Sequence, residues 1–171
     1  LDDGTFRLYF STTNPDGYFG IYYAEGSDGV NFTFKGDVAA PPNTSISNST
    51  TFKVQDEWHM YAMVNDEDGI LWHLLSDNGT YWEITEITSF PIDGTYQIPS
   101  NGVWLDGVFH MFMSDPDSGE VRSQSTTDGY NWTVEDGTRI GPLEDGRFVK
   151  DPTILELDNS HLMIYVTTIP E

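Results

Sequence analysis

Short apolar runs recur along the chain at 6–10, 58–62, 109–113 and 161–165 (FRLYF, WHMYA, FHMFM and HLMIY). They are too brief for helices and are aromatic or Met-rich at consecutive positions, so they predict strands buried on both faces. A weaker run precedes three of them, at 51–54, 102–105 and 153–157, across tight turns at Asp56, Asp106-Gly107 and Asp158-Asn159. Glycine-containing acidic turns follow, then third strands at 20–25, 69–75 and 119–125 and fourth strands at 31–34, 81–85 and 131–135. No stretch keeps helical spacing over three turns, and Pro and Gly punctuate the chain at Pro41-Pro42, Pro91 and Gly141-Pro142. The class is all-β.

The third strands run into one repeated phrase: Ser27-Asp28-Gly29-Val30-Asn31-Phe32, Ser76-Asp77-Asn78-Gly79-Thr80-Tyr81-Trp82 and Thr127-Asp128-Gly129-Tyr130-Asn131-Trp132. Aligned on Asp28, Asp77 and Asp128, the copies are 49 and 51 residues apart. Four antiparallel strands at a period near 50 predict the blades of a β-propeller. A two-sheet sandwich competes, but it does not require its parts to resemble each other. The residues form one propeller segment, with repeats at 1–45 (lacking its innermost strand), 46–95 and 96–146, and a partial blade at 147–171. A closed propeller needs at least four blades, so this arc is incomplete or is completed in trans. The first residues read as a turn before a strand, so either processing removed the front or this is part of a longer chain. In the repeated phrase the aspartate is expected to accept backbone N–H bonds while glycine takes the positive φ, a scaffold role.

Composition narrows the partners. The 171 residues carry a net charge of −21, which disfavours nucleic acid and anionic lipid. With no cysteine, disulfides and thiolate sites are excluded, and no apolar run is long enough to insert in a membrane as a helix. Five asparagines stand in Asn-x-Ser/Thr sequons: Asn31, Asn43, Asn48, Asn78 and Asn131. They predict N-glycosylation and an extracellular, secreted location.

The phrase Lys150-Asp151-Pro152-Thr153-Ile154-Leu155-Glu156-Leu157, followed by a turn and an aromatic strand, resembles the "DPT-hydrophobic-turn-LYYS" unit of five-bladed propellers. These are the furanosidase-type glycoside hydrolases and sialidase-like repeat proteins. The Ser27–Phe32 phrase resembles the sialidase Asp-box. The resemblance implies three carboxylates at the propeller axis, contributed by innermost strands. Counting back seven residues from the turn aspartates aligns Asp151 with Pro99 and Ser49, so Asp151 is the one acid in axial position. Hydrolysis needs two carboxylates, so the reading favoured is a non-catalytic structural subunit or carbohydrate-binding module of an extracellular assembly. The alternative is a fragment of a five-bladed glycoside hydrolase.

Other candidates are placed by residue type. His59, His110 and His161 recur on the second strand and read as blade features, whereas His73 stands beside Trp72 with no nucleophile at a recognisable spacing. Trp72 and His73, with Tyr18, Phe19 and Tyr96 near loops, are candidate glycan contacts, since aromatic faces stack on sugar rings. No cofactor is expected. Asp66, Asp68, Asp115 and Asp117 are weak candidates for Ca²⁺ because their turns offer oxygen ligands without a dedicated loop's spacing. Unpaired strand edges at the two ends invite self-association.

Overall fold

The computed structural model describes residues 1–65, 69–89, 97–158 and 161–169. Among the described residues thirteen strands form four antiparallel sheets, each read from the propeller axis outward. The first holds β1 (Phe6–Thr13), β2 (Phe19–Gly26) and β3 (Thr33–Ala39). The second holds β4 (Ile46–Val54), β5 (Glu57–Val64), β6 (Ile70–Ser76) and β7 (Glu83–Ser89). The third holds β8 (Ile98–Leu105), β9 (Val108–Asp115), β10 (Glu120–Thr126) and β11 (Thr133–Val134), and the fourth β12 (Phe148–Asp158) and β13 (His161–Ile169). This is a β-propeller arc. The first sheet begins at the register of a second strand, and the innermost strands β4, β8 and β12 stand side by side.

Why the second strands are apolar at consecutive positions is visible in β5. Met60, Ala62 and Val64 pack with Ile21, Ile46 and Leu74 toward the first sheet, while Tyr61 and Met63 pack with Phe52, Phe109, Met111 and Met113 toward the third. Successive strand side chains point to opposite faces, so a strand between two blades must be apolar on both. A third cluster, Phe112, Val121, Val149 and Ile154, joins the third sheet to the fourth. Phe52 and Phe109 stack at 4.1 Å between centroids across the interface of the second and third sheets.

Two of the three repeated turns clasp neighbouring blades together. Asp28 Oδ1 accepts N–H bonds from Val30 and Asn31, and Asp128 Oδ1 accepts them from Tyr130 and Asn131. In the second sheet the acceptor is Asn78, which receives Thr80 and Tyr81, and not Asp77. The acceptor must precede the left-handed glycine directly, so the equivalent positions are 28, 78 and 128, a period of 50. The Gly79 carbonyl accepts the Tyr9 hydroxyl at 2.6 Å and the Gly129 carbonyl accepts the Tyr61 hydroxyl at 2.7 Å, each from the preceding blade. Trp82 and Trp132 stand edge-on to the same two tyrosines.

Tyr61→Phe is expected to lower stability by about 1–2 kcal/mol, because the buried Gly129 carbonyl loses that donor. Urea unfolding followed by tryptophan fluorescence measures it, and an unchanged midpoint would show that the clasp bond adds nothing.

Candidate functional site

The innermost strands each carry a β-bulge near their start, between Ser47 and Thr50, Pro99 and Asn101, and Lys150 and Thr153. Bulges bend a strand and re-aim its side chains, and these three converge with Tyr9–Ser11 of β1 around an axial cleft of about 400 Å³. Two bulge residues adopt left-handed backbone, Asn48 at φ 47° and Asp151 at φ 50°. Asn and Asp enter that region most readily among residues with a Cβ, at a cost of about 1–2 kcal/mol. The spacing-based alignment is therefore off by one at β4: Asp151 is matched by Asn48, not Ser49, because the turn aspartates are not equivalent, Asp56 being the second residue of its turn, Asp106 the first of its own, and Asp158 still paired in the strand.

The cleft is held from behind. The buried Ser114 hydroxyl of β9 accepts the Asp151 N–H at 2.8 Å, and Thr50 donates to the Ser100 carbonyl at 2.9 Å, tying the β4 and β8 bulges together. The Asp151 carboxylate is exposed, with Lys150 Nζ at 3.4 Å. Around it stand the amides of Asn48 and Asn101 and the hydroxyls of Ser49, Ser100 and Thr153. Asp151 is the one acid among the residues lining this cleft. A rim of amides, hydroxyls and one carboxylate matches the alternating donors and acceptors of a sugar. By itself it lacks the pair of carboxylates that hydrolysis needs.

The remaining candidates fall elsewhere. His73 is 1% exposed, so it is closed to a glycan. Its Nε2 lies 3.0 Å from Nδ1 of the equally buried His59, and its ring stacks on Tyr61 at 4.3 Å. Burial pushes the His73 imidazole down to about 4, with the neighbouring His59 adding to the shift, and burial also lowers His59. The pair is a diagonal contact on antiparallel strands, since His59 faces Leu75 and Tyr61 faces His73 in the register. His110 is bound differently, to Glu135 at 2.7 Å, and His161 opens β13 opposite Asp158, the register position of Glu57 and not of His59.

Trp72 packs against the core between the first two sheets. Tyr18 is half-buried, and Phe19 is 41% exposed on β2. Asp115 is 2% exposed, and its Oδ1 receives the N–H groups of Asp117 and Ser118, a turn-forming role; Asp117 is exposed. Asp66, Asp68 and Tyr96 lie outside the described residues. Among the described residues no three His, Cys, Asp or Glu side chains converge as a metal site. All five sequon asparagines are exposed. Asn31 and Asn131 donate Nδ2 to the carboxylates of Asp28 and Asp128 at 2.7 Å.

With this geometry in view, comparison with known proteins gives the class. No protein-family model matches the sequence, and no curated protein does. Solved structures do match. A thermostable family-43 glycoside hydrolase aligns over 97% of this chain and 62% of its own, at 16% identity and TM-score 0.73. An exo-β-1,3-galactanase from Clostridium thermocellum aligns over 98% and 40%, at 14% identity and TM-score 0.74. A β-1,2-mannobiose phosphorylase from Listeria innocua aligns over 96% and 52%, at 10% identity and TM-score 0.73. The chain thus has the β-propeller fold found in these carbohydrate-active proteins, and it spans about two-fifths to three-fifths of their lengths.

Proposed function

We propose that this chain is the glycan-binding part of a propeller of glycoside-hydrolase type, taking one sugar unit in the axial cleft against Asp151. The observation that carries this reading is the pair of left-handed bulge residues, Asn48 and Asp151, both lining the cleft. Backbone held in a costly region where a ligand would sit is a recurrent mark of a functional site. A second carboxylate, supplied by sheets beyond these four, would make the whole propeller a hydrolase. Without it the protein is a binding module. Longer neighbours of the same fold favour the hydrolase, whereas the lone acid among the cleft residues favours the module.

Two further parts belong to the proposal. The exposed sequons support an N-glycosylated, extracellular protein, checked by intact mass before and after deglycosylation. In the described sheets β1 pairs only with β2 and β13 only with β12, so strand addition along either edge would extend the arc.

Isothermal titration of the 171-residue chain with arabino-, xylo-, galacto- and manno-oligosaccharides tests the site. Binding of one series is expected, weakened at least tenfold in Asp151→Ala, with no hydrolysis of aryl glycosides. An unchanged affinity in that variant would remove Asp151 from the site, and turnover by this chain alone would overturn the single-carboxylate reading.

A further inference from the structure

The repeated turn breaks its own pattern at two aromatic residues that border neighbouring clefts. After the turn glycine come Val30, Thr80 and Tyr130, then Asn31, Tyr81 and Asn131. Tyr81 is thus aromatic where its counterparts are asparagine, and Tyr130 where its counterparts are valine and threonine. Both are exposed, Tyr81 at 85% and Tyr130 at 49%. Tyr81 lines a cleft of about 310 Å³ and Tyr130 one of about 470 Å³, and the two clefts share Glu57 and Asp77. They form one groove on the turn side of the second and third sheets, and none of its residues lines the axial cleft.

The groove is built rather than accidental. Tyr130 donates its hydroxyl to Glu57 Oε2 at 2.5 Å, and its ring stands edge-on to His59 at 5.0 Å and to His73 at 5.4 Å. That bond to Glu57 raises the phenol to about 12, so the ring stays neutral. Beneath it His59 is fully buried, with Nδ1 turned to His73. His59 Nε2, on the opposite side of the ring, has no hydrogen-bond partner and lies 3.4 Å from Glu57 Oε2.

We propose that this groove is a second carbohydrate site, taking a neutral polysaccharide across Tyr81 and Tyr130. Sugar rings present C–H faces that stack on exposed aromatic rings, and a ring already held in place loses little freedom on binding. The carboxylates of Glu57, Asp77 and Asp56 accept hydroxyl hydrogen bonds along the chain. The same carboxylates, within a net charge of −21, repel uronate and sulfated polymers, which fixes the ligand as neutral. The site stands independently of the axial cleft, because a long chain crossing an open groove and a single unit entering the axis use different residues.

The site requires Asn78, which borders the groove, to carry no glycan, and affinity gel electrophoresis of the chain with Asn78 unoccupied tests it. Soluble arabinan, xylan, galactan and mannan are the probes, with polygalacturonate as the anionic control. At least one neutral polymer is expected to retard the chain, and polygalacturonate is not. Tyr81→Ala, at a position too exposed to affect folding, is expected to weaken retardation at least fivefold, while Asp151→Ala leaves it as in the parent chain. Tyr130→Phe keeps the ring and is expected to retain most of the binding. The proposal is overturned if no neutral polymer retards the chain, if Tyr81→Ala migrates like the parent, or if polygalacturonate binds as well. Loss in Asp151→Ala alone would also overturn it, by assigning all binding to the axis.

Discussion

Replacing Gly129 by alanine is expected to cost roughly 3 kcal/mol or more, whereas the same change at Gly29 costs about 1 kcal/mol. Both glycines occupy the same turn position with φ near +80° and +71°, so the backbone penalty is shared. Their surroundings differ. A Cβ on Gly129 would fall 2.4 Å from Cε1 and 2.6 Å from Nδ1 of His59, inside van der Waals contact with a fully buried ring. His59 has nowhere to retreat: it is stacked against Phe52 at 5.3 Å and bonded to His73 at 3.0 Å. At Gly29 the nearest atoms belong to the exposed Phe6 ring at 3.6 Å, an ordinary contact. The contrast follows from what each turn covers, since the third sheet's turn rests on the preceding blade while the first sheet's turn packs within its own. Chemical denaturation of the two variants measures the difference, and equal losses would mean that the clasp geometry is wrong.

Much of this arrangement could be read from residue order. Strands buried on both faces and a period near 50 follow from local patterns, because a strand between two blades packs on both of its faces and a turn must place glycine in left-handed backbone. Three features could not be read that way. Residue type points to Asp77 in the middle turn, whereas the hydrogen-bond acceptor is fixed by its place before glycine and an asparagine serves as well. The axial alignment is off by one at β4, because Asp56 is the second residue of its hairpin turn whereas Asp106 is the first, a difference that shows only in the strand pairing. His73 is solitary in the sequence because its partner is fourteen residues earlier, across a hairpin whose register only the fold defines. The same hidden register placed Tyr130 over that pair and made a groove of what the sequence offered as a decorated turn.

The histidine pair gives the second large effect, a stability that drops as pH falls through mild acid. Both imidazoles are held neutral by burial, so their pKa values in the fold lie below the ordinary 6.5, His73 at about 4. The unfolded chain therefore binds protons first as pH falls, and unfolding is favoured progressively between about 6.5 and 4. The stability is fully present above 6.5 and lost below. For His73 the shift corresponds to roughly 3 kcal/mol. Glu57 and Asp128 oppose it from the groove side by favouring a charged His59, with Glu57 Oε2 3.4 Å from Nε2. They can support one proton on the pair, but a second would set two cations 3.0 Å apart beneath Gly129. The turn that clasps the second and third sheets is thus the part that acid loosens. Urea unfolding at pH 7, 5.5 and 4.5 should show the parent chain losing most of this increment while His73→Gln, which cannot take the second proton, loses much less. Coincident pH profiles for the two would assign the acid sensitivity to other groups. A third series on Asp28→Asn separates the carboxylates, because backbone bonds from Asn31 and Val30 hold Asp28 at about 2 and its contribution fades only below about 4.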